Sequence, residues 1–256
     1  MHTAVIAGSA ALGLLVGSLL NVLIDRVPHK APLRGPRDGE ASAPVSWFGL
    51  PAQPWVLRRG RHADEPLPHR WLWVEMVTVA VFAELAVRYG ETLVLVPLLV
   101  LGAGLVAVSA IDLELLRIPD RITFPTLALA VPLIVVVSVQ QDITDAIQAA
   151  LIGSVAYFLL LFTTHMIYPA GMGFGDVKLA LVMGLYLGWL GWTPLAPVAG
   201  PLRLVFYALM LGCVLGVVFG LTVQVISKRK GAFPFGPALA AGCLVVVLFA
   251  ADLRVN

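Results

Sequence analysis

Residues 92–120 read TLVLVPLLVLGAGLVAVSAIDLELLRIPD. The twenty residues from Thr92 to Ile111 carry no charge, and about 20 residues is the length at which an α-helix crosses the ~30 Å hydrocarbon core of a bilayer. Asp112 ends the run, and Pro119 cannot continue a helix. The stretch therefore predicts a spanning helix that delivers a carboxylate to one membrane face. Seven further apolar runs lie at 4–24, 71–89, 122–139, 146–167, 177–193, 204–226 and 235–251. The expected fold class is all-α: a polytopic membrane helical bundle of about eight transmembrane helices.

Composition agrees. Only 12% of the 256 residues are charged and 59% are hydrophobic, against about 25% charged in soluble domains. Mean hydropathy is +0.93, so lipid is the expected solvent. A net charge of +2 with dispersed basic residues argues against nucleic acid as a partner. Two cysteines, Cys213 and Cys243, both in apolar runs, exclude a disulfide scaffold and a four-cysteine zinc site. The first run has no basic segment before it and is followed at once by Asp25 and Arg26, so it reads as a span rather than a secretory signal.

Basic residues set the orientation. With the N-terminus outside, 14 of the 17 Lys and Arg fall in inside segments, and only Arg88, Arg203 and Arg254 fall outside. Both termini are therefore expected outside. Residues 25–70 differ in kind, with 13 charges and eight prolines in 46 residues, and read as a cytoplasmic loop with little regular structure. The expected organisation is a first transmembrane helix at 1–24, this loop at 25–70, and a seven-helix membrane core at 71–256. Gly13 and Gly17, Gly184 and Gly188, and Gly212, Gly216 and Gly220 recur at four-residue steps, which permits close helix contact in lipid. Trp71, Trp73, Trp189 and Trp192 read as interface belts.

Carboxylates within the membrane are costly and need a reason. Nine of the 15 acids lie in loops or at outer ends, leaving Glu75, Glu84, Asp112, Glu114, Asp120 and Asp176. Asp112 closes the third span and Asp176 opens the sixth, in Gly171-Met172-Gly173-Phe174-Gly175-Asp176-Val177-Lys178. Two spans separate them, so both aspartates return to the same face, which the basic residues make cytoplasmic. Two neighbouring carboxylates share a proton. The ionised one can activate water against a peptide carbonyl, and the protonated one can donate to the leaving amine. That is aspartic proteolysis, and it needs no metal. Gly173 and Gly175 allow a close backbone approach beside Asp176. A carboxylate-relay transporter and a non-catalytic assembly scaffold are the competing readings.

The remaining residues have more than one reading. Lys178 either binds a substrate backbone, tunes Asp176 or anchors its helix at the interface. Asp120 reads as an N-cap of the fourth helix. Glu75 either faces the catalytic cavity or snorkels inward, Glu84 snorkels outward, and Glu114 is a wetted interface residue.

At these motifs the sequence resembles the type IV prepilin peptidases, polytopic aspartic proteases with a Gly-x-Gly-Asp motif. The match runs through Gly17–Pro28, Arg70–Thr78 with Glu75, Asp112–Thr123, Gly173–Leu179 and Phe233–Pro237, in the family's order. The resemblance implies that Asp112 and Asp176 are the catalytic pair, with Gly173, Gly175, Lys178, Asp120 and Glu75 supporting them or the substrate. It implies cleavage of the basic leader of a prepilin or pseudopilin, after a glycine, at the cytoplasmic side of the inner membrane. It also implies N-methylation of the new terminus with S-adenosylmethionine; the peptidase itself needs no cofactor. Many members carry two Cys-x-x-Cys pairs in the first loop, read as a zinc site. This loop has no cysteine, and its His29, His62 and His69 are dispersed, so no metal is expected. Leu72 stands where a proline is usual. Both departures bear on the methyltransferase and leave the aspartate motifs intact.

Overall fold

The computed structural model describes residues 2–28, 69–169, 171–227 and 234–254. The expectations for most of the long loop, with His29 and His62, and for Lys228, Arg229 and Lys230 lie outside those residues. In chain order the helices are α1 (His2–Arg26), α2 (His69–Tyr89), α3 (Leu95–Leu115), α4 (Asp120–Gln140), α5 (Asp145–Ile167), α6 (Phe174–Gly191), α7 (Ala199–Ser227), α8 (Gly236–Leu248) and the short α9 (Ala250–Arg254). No strand occurs among the described residues.

Each of the eight apolar runs is helical. Among the described residues six helices, α1 and α3 to α7, are long and apolar enough to cross a membrane. The chain is thus a multi-pass, all-α membrane protein. The other two differ for physical reasons. Four charged residues, Arg70, Glu75, Glu84 and Arg88, lie along α2. At 13 residues, α8 extends only about 20 Å.

The chain divides into two compact units, Met1–Leu95 and Val96–Asn256. In the first, α1 runs antiparallel to α2, and each four-residue step along α1 meets a step back along α2. A Cβ on Gly13 would sit 2.9 Å from the Val79 Cα, and one on Gly17 would sit 2.9 Å from the Glu75 Cα. One turn further, the Asn21 side-chain amide donates to the Trp71 carbonyl at 3.0 Å. Beyond that, Arg70 pairs with Asp25. The glycines predicted to mark close contacts therefore do so here, followed along the same stripe by polar links.

The second unit is built around α6, of whose 18 residues 14 are buried. It packs on α4, α5, α7 and α8. Its seam with α5 is tight. A Cβ on Gly153 would lie 2.4 Å from the Gly184 carbonyl oxygen, and one on Gly188 would lie 2.3 Å from that of Ala149. The Ser154 hydroxyl donates to the Leu181 carbonyl at 2.9 Å in the same seam. Gly212 and Gly216 face Leu239 and Phe235 across the α7–α8 contact. Away from these seams the helices expose apolar side chains, such as Leu151, Val155 and Leu159 on α5 and Val214, Val218 and Leu221 on α7. Such faces suit lipid. Trp189 departs from the interface-belt expectation. It is buried, and its indole N–H donates to the Ser138 hydroxyl at 2.9 Å, because α6 is enclosed along its length.

Candidate active site

Asp112 sits in the last turn of α3, and the turn closes with the Leu116 N–H donating to the Asp112 carbonyl at 2.9 Å. Leu116 then takes φ +52°, a left-handed conformation that reverses the chain at a cost for any residue with a Cβ. Pro119 holds an extended conformation at the head of α4, and the residue before a proline is itself driven from the helical region. The result is a tight connection, residues 116–119, that points Ile118 into the unit. Leu116→Gly should remove the strain, and Leu116 is exposed, so little packing is lost. The expected effect is a rise in thermal midpoint of detergent-solubilised protein corresponding to about 0.5–1 kcal/mol. An unchanged or lower midpoint would contradict this account of the turn.

Asp176 is the third residue of α6. Gly173, in extended conformation, heads the helix, and the Asp176 N–H donates to the Gly173 carbonyl at 3.1 Å. Asp176 Oδ2 turns back over this glycine, 3.4 Å from where a Gly173 Cβ would stand.

Ile118 joins the two aspartates' surroundings. A Cβ on Gly175 would fall 2.7 Å from the Ile118 Cβ, and one on Gly236 would fall 3.3 Å from the Ile118 Cδ1 and 2.8 Å from Asp112 Oδ2. Gly175 and Gly236 thus let three main-chain segments converge around one isoleucine. Gly236 also donates its backbone N–H to Asp112 Oδ2 at 3.0 Å. Asp112 and Asp176 are each only 6% exposed and lie within electrostatic reach of one another. Asp176 Oδ1 is buried with no protein hydrogen-bond partner. A carboxylate oxygen in that state has an open acceptor position, available to water or substrate.

Not every residue singled out from the sequence behaves as expected. Asp120 makes no N-cap: Pro119 holds that position without a side-chain cap. Instead both Asp120 carboxylate oxygens accept from Lys178 Nζ, at 2.7 and 2.8 Å. Lys178 therefore faces a carboxylate on α4 rather than open solvent. Glu75 belongs to the first unit and is 2% exposed, which rules out snorkelling for it. Glu84 and Glu114 are exposed. Among the described residues no group of three or more His, Cys, Asp or Glu is arranged to hold a metal ion. Gly236 and Ile118 were legible only as parts of motifs. Nothing in the spacing of Phe233–Pro237 assigns its glycine to Asp112, 124 residues away.

Comparison with known proteins bears on this arrangement directly. The family model described as the Type IV leader peptidase family matches residues 99–221, a span that contains both aspartates. A second, the Bacterial Peptidase A24 N-terminal domain, matches residues 11–89. The chain belongs to the type IV leader peptidase family. The division between the two matches falls where the two compact units of this leader peptidase family member divide, near residue 95. Among curated relatives, a prepilin leader peptidase/N-methyltransferase of Burkholderia pseudomallei is 28% identical over 281 residues, covering 95% of this chain and 85% of its own. One of Xanthomonas campestris pv. campestris is 27% identical, covering 96% and 91%. One of Bacillus subtilis is 28% identical over 245 residues, covering 93% and 91%. No solved structure matches.

Proposed function

We propose that the protein is a membrane aspartic endopeptidase that removes the leader peptide of a type IV prepilin or pseudopilin at the cytoplasmic face of the inner membrane. The observation that carries this reading is the pair Asp112 and Asp176, both buried, within electrostatic reach, and with one carboxylate oxygen left open. In the proposed reaction one carboxylate takes a proton from water as the water attacks the scissile carbonyl. The other donates its proton to the carbonyl oxygen, giving a gem-diol. As the C–N bond breaks, the proton taken from water passes to the leaving amine and a gem-diol hydroxyl returns its proton to the second carboxylate. Gly173 leaves the main chain beside Asp176 free of a side chain, so an extended substrate can lie against it, whereas Gly175 is packed on Ile118. The 14-to-3 bias of basic residues supports the cytoplasmic assignment of this end of the bundle.

A proton relay would need buried carboxylates distributed through the bundle's depth. In the second unit the buried acids are Asp112 and Asp176, at the end of one helix and the start of another, which favours the peptidase. The names of the relatives carry a second activity, N-methylation. The first unit supports it with an orphaned buried acceptor, Asn21 Oδ1, an orphaned donor, Trp71 Nε1, and the buried Glu75 carboxylate. Those groups fit the polar and cationic parts of S-adenosylmethionine, which when bound supplies an electrophilic methyl group.

The test is cleavage of a co-expressed prepilin. A faster-migrating product is expected, its new N-terminus following the leader's last glycine. Full-length prepilin beside abundant, membrane-inserted enzyme would overturn the reading.

A further inference from the structure

We infer that the Asp120–Lys178 ion pair is a positioning clasp for the aspartates, rather than a substrate contact or a membrane anchor. The inference rests on the aspartate-pair reading above. Lys178 lies two residues after Asp176, and Asp120 lies eight after Asp112. The pair ties the first turn of α4 to the first turns of α6 through two hydrogen bonds from one ammonium, at 2.7 and 2.8 Å. The same ammonium stands 5.3 Å from the centre of the Phe174 ring and 5.9 Å from that of Phe124, within cation–π range. Phe174 precedes Lys178 by one helical turn, and Phe124 follows Asp120 by one turn. Each side of the clasp therefore presents a ring, and Asp120 completes the site with charge.

The position of the clasp matters more than its strength. Its side chains are 26% exposed for Lys178 and 51% for Asp120, and an ion pair so exposed adds little to stability. Yet the two main-chain segments that it joins are those that carry Ile118 against Gly175. Separating them would shift Asp176 relative to Asp112. Displacements of about 1 Å at a reacting group can cost about 10²-fold in rate. A device with this placement and this exposure controls geometry rather than folding.

The experiment measures prepilin cleavage by the purified full-length protein in detergent. Lys178→Met and Asp120→Asn are each expected to lower kcat by about ten- to a hundredfold, with KM and thermal midpoint nearly unchanged. The double variant should fall no further than the worse single variant, because the two residues act as one unit. Lys178→Arg, which keeps charge and ring stacking, should retain most of kcat. Unchanged kcat in the single variants, a loss confined to KM, or additive losses in the double variant would each overturn the clasp. Asp112→Asn is run alongside. If it still cleaves, the aspartate reading itself has failed; if it is inactive while the clasp variants are not, only the clasp has.

Discussion

Asp112→Asn and Asp176→Asn are each expected to abolish leader cleavage while the protein continues to accumulate in the membrane. Asparagine keeps the size and shape of the side chain and can still accept the Gly236 N–H that Asp112 Oδ2 accepts. It cannot hold a negative charge or pass on a proton. General acid–base catalysis contributes about 10²–10⁴-fold, and the pair uses both of its members in each turnover, so at least about 10³-fold should be lost from either change. Stability should move the other way or not at all. Each aspartate is only 6% exposed, and neutralising one of two adjacent buried acids removes a desolvation cost. The measurement is a gel shift of co-expressed prepilin, paired with a thermal midpoint for each variant. Processing at the unmodified rate by either variant would sink the assignment. Loss of processing together with loss of the folded protein would mean that the aspartates hold the bundle together instead.

The second large effect concerns the fold. Gly153→Ala should strongly destabilise the protein, although an interior helical Gly→Ala change ordinarily gains about 1 kcal/mol. Space decides the sign. The new Cβ would lie 2.4 Å from the Gly184 carbonyl oxygen, 2.5 Å from the Gly188 Cα and 2.7 Å from its nitrogen. All three are backbone atoms, which no rotamer change can move. The helices must separate, and α6 is the element on which α4, α5, α7 and α8 pack. Overpacking of this kind costs about 1–3 kcal/mol, occasionally more. Gly8→Ala is the control, since nothing lies within 4 Å of its Cβ. A fluorescence-detected size-exclusion profile after heating should show Gly153→Ala lost at lower temperature and Gly8→Ala retained. Equal melting of the two would refute the close α5–α6 seam.

Much of the molecule is legible along the chain because the bilayer imposes a local rule. Each run of about 20 apolar residues becomes a helix, and each of the eight runs does so here. Parity then brings Asp112 and Asp176 to one end without knowledge of any helix boundary. The small-residue steps at Gly13 and Gly17 and at Gly184 and Gly188 do mark contacts. What such a step cannot reveal is its partner. Gly153 carries no four-residue repeat of its own, yet a Cβ there would lie 2.4 Å from the Gly184 carbonyl oxygen. Trp189 and Asp120 went astray for a related reason. Residue type argues for an interface belt and a helix cap, whereas each side chain is claimed by a partner on another helix, Ser138 and Lys178.

The sequence by itself therefore determined that this is a multi-pass helical membrane protein, and singled out Asp112 and Asp176, which the fold buries at the end of α3 and the start of α6. Those conclusions rest on transfer free energy, helix length and counting crossings, all of which are additive along the chain. Only the tertiary structure decided that Gly236 gives its N–H to Asp112 and that Ile118 sits between Gly175 and Gly236. The same is true of the link from Lys178 to Asp120. These contacts join residues 124 and 58 positions apart. They depend on ångström-scale fit between helices whose relative rotation no single segment specifies. Hydrophobicity brings the helices into one bilayer but does not set which stripe faces which; close packing at the glycines and the few buried polar links do that.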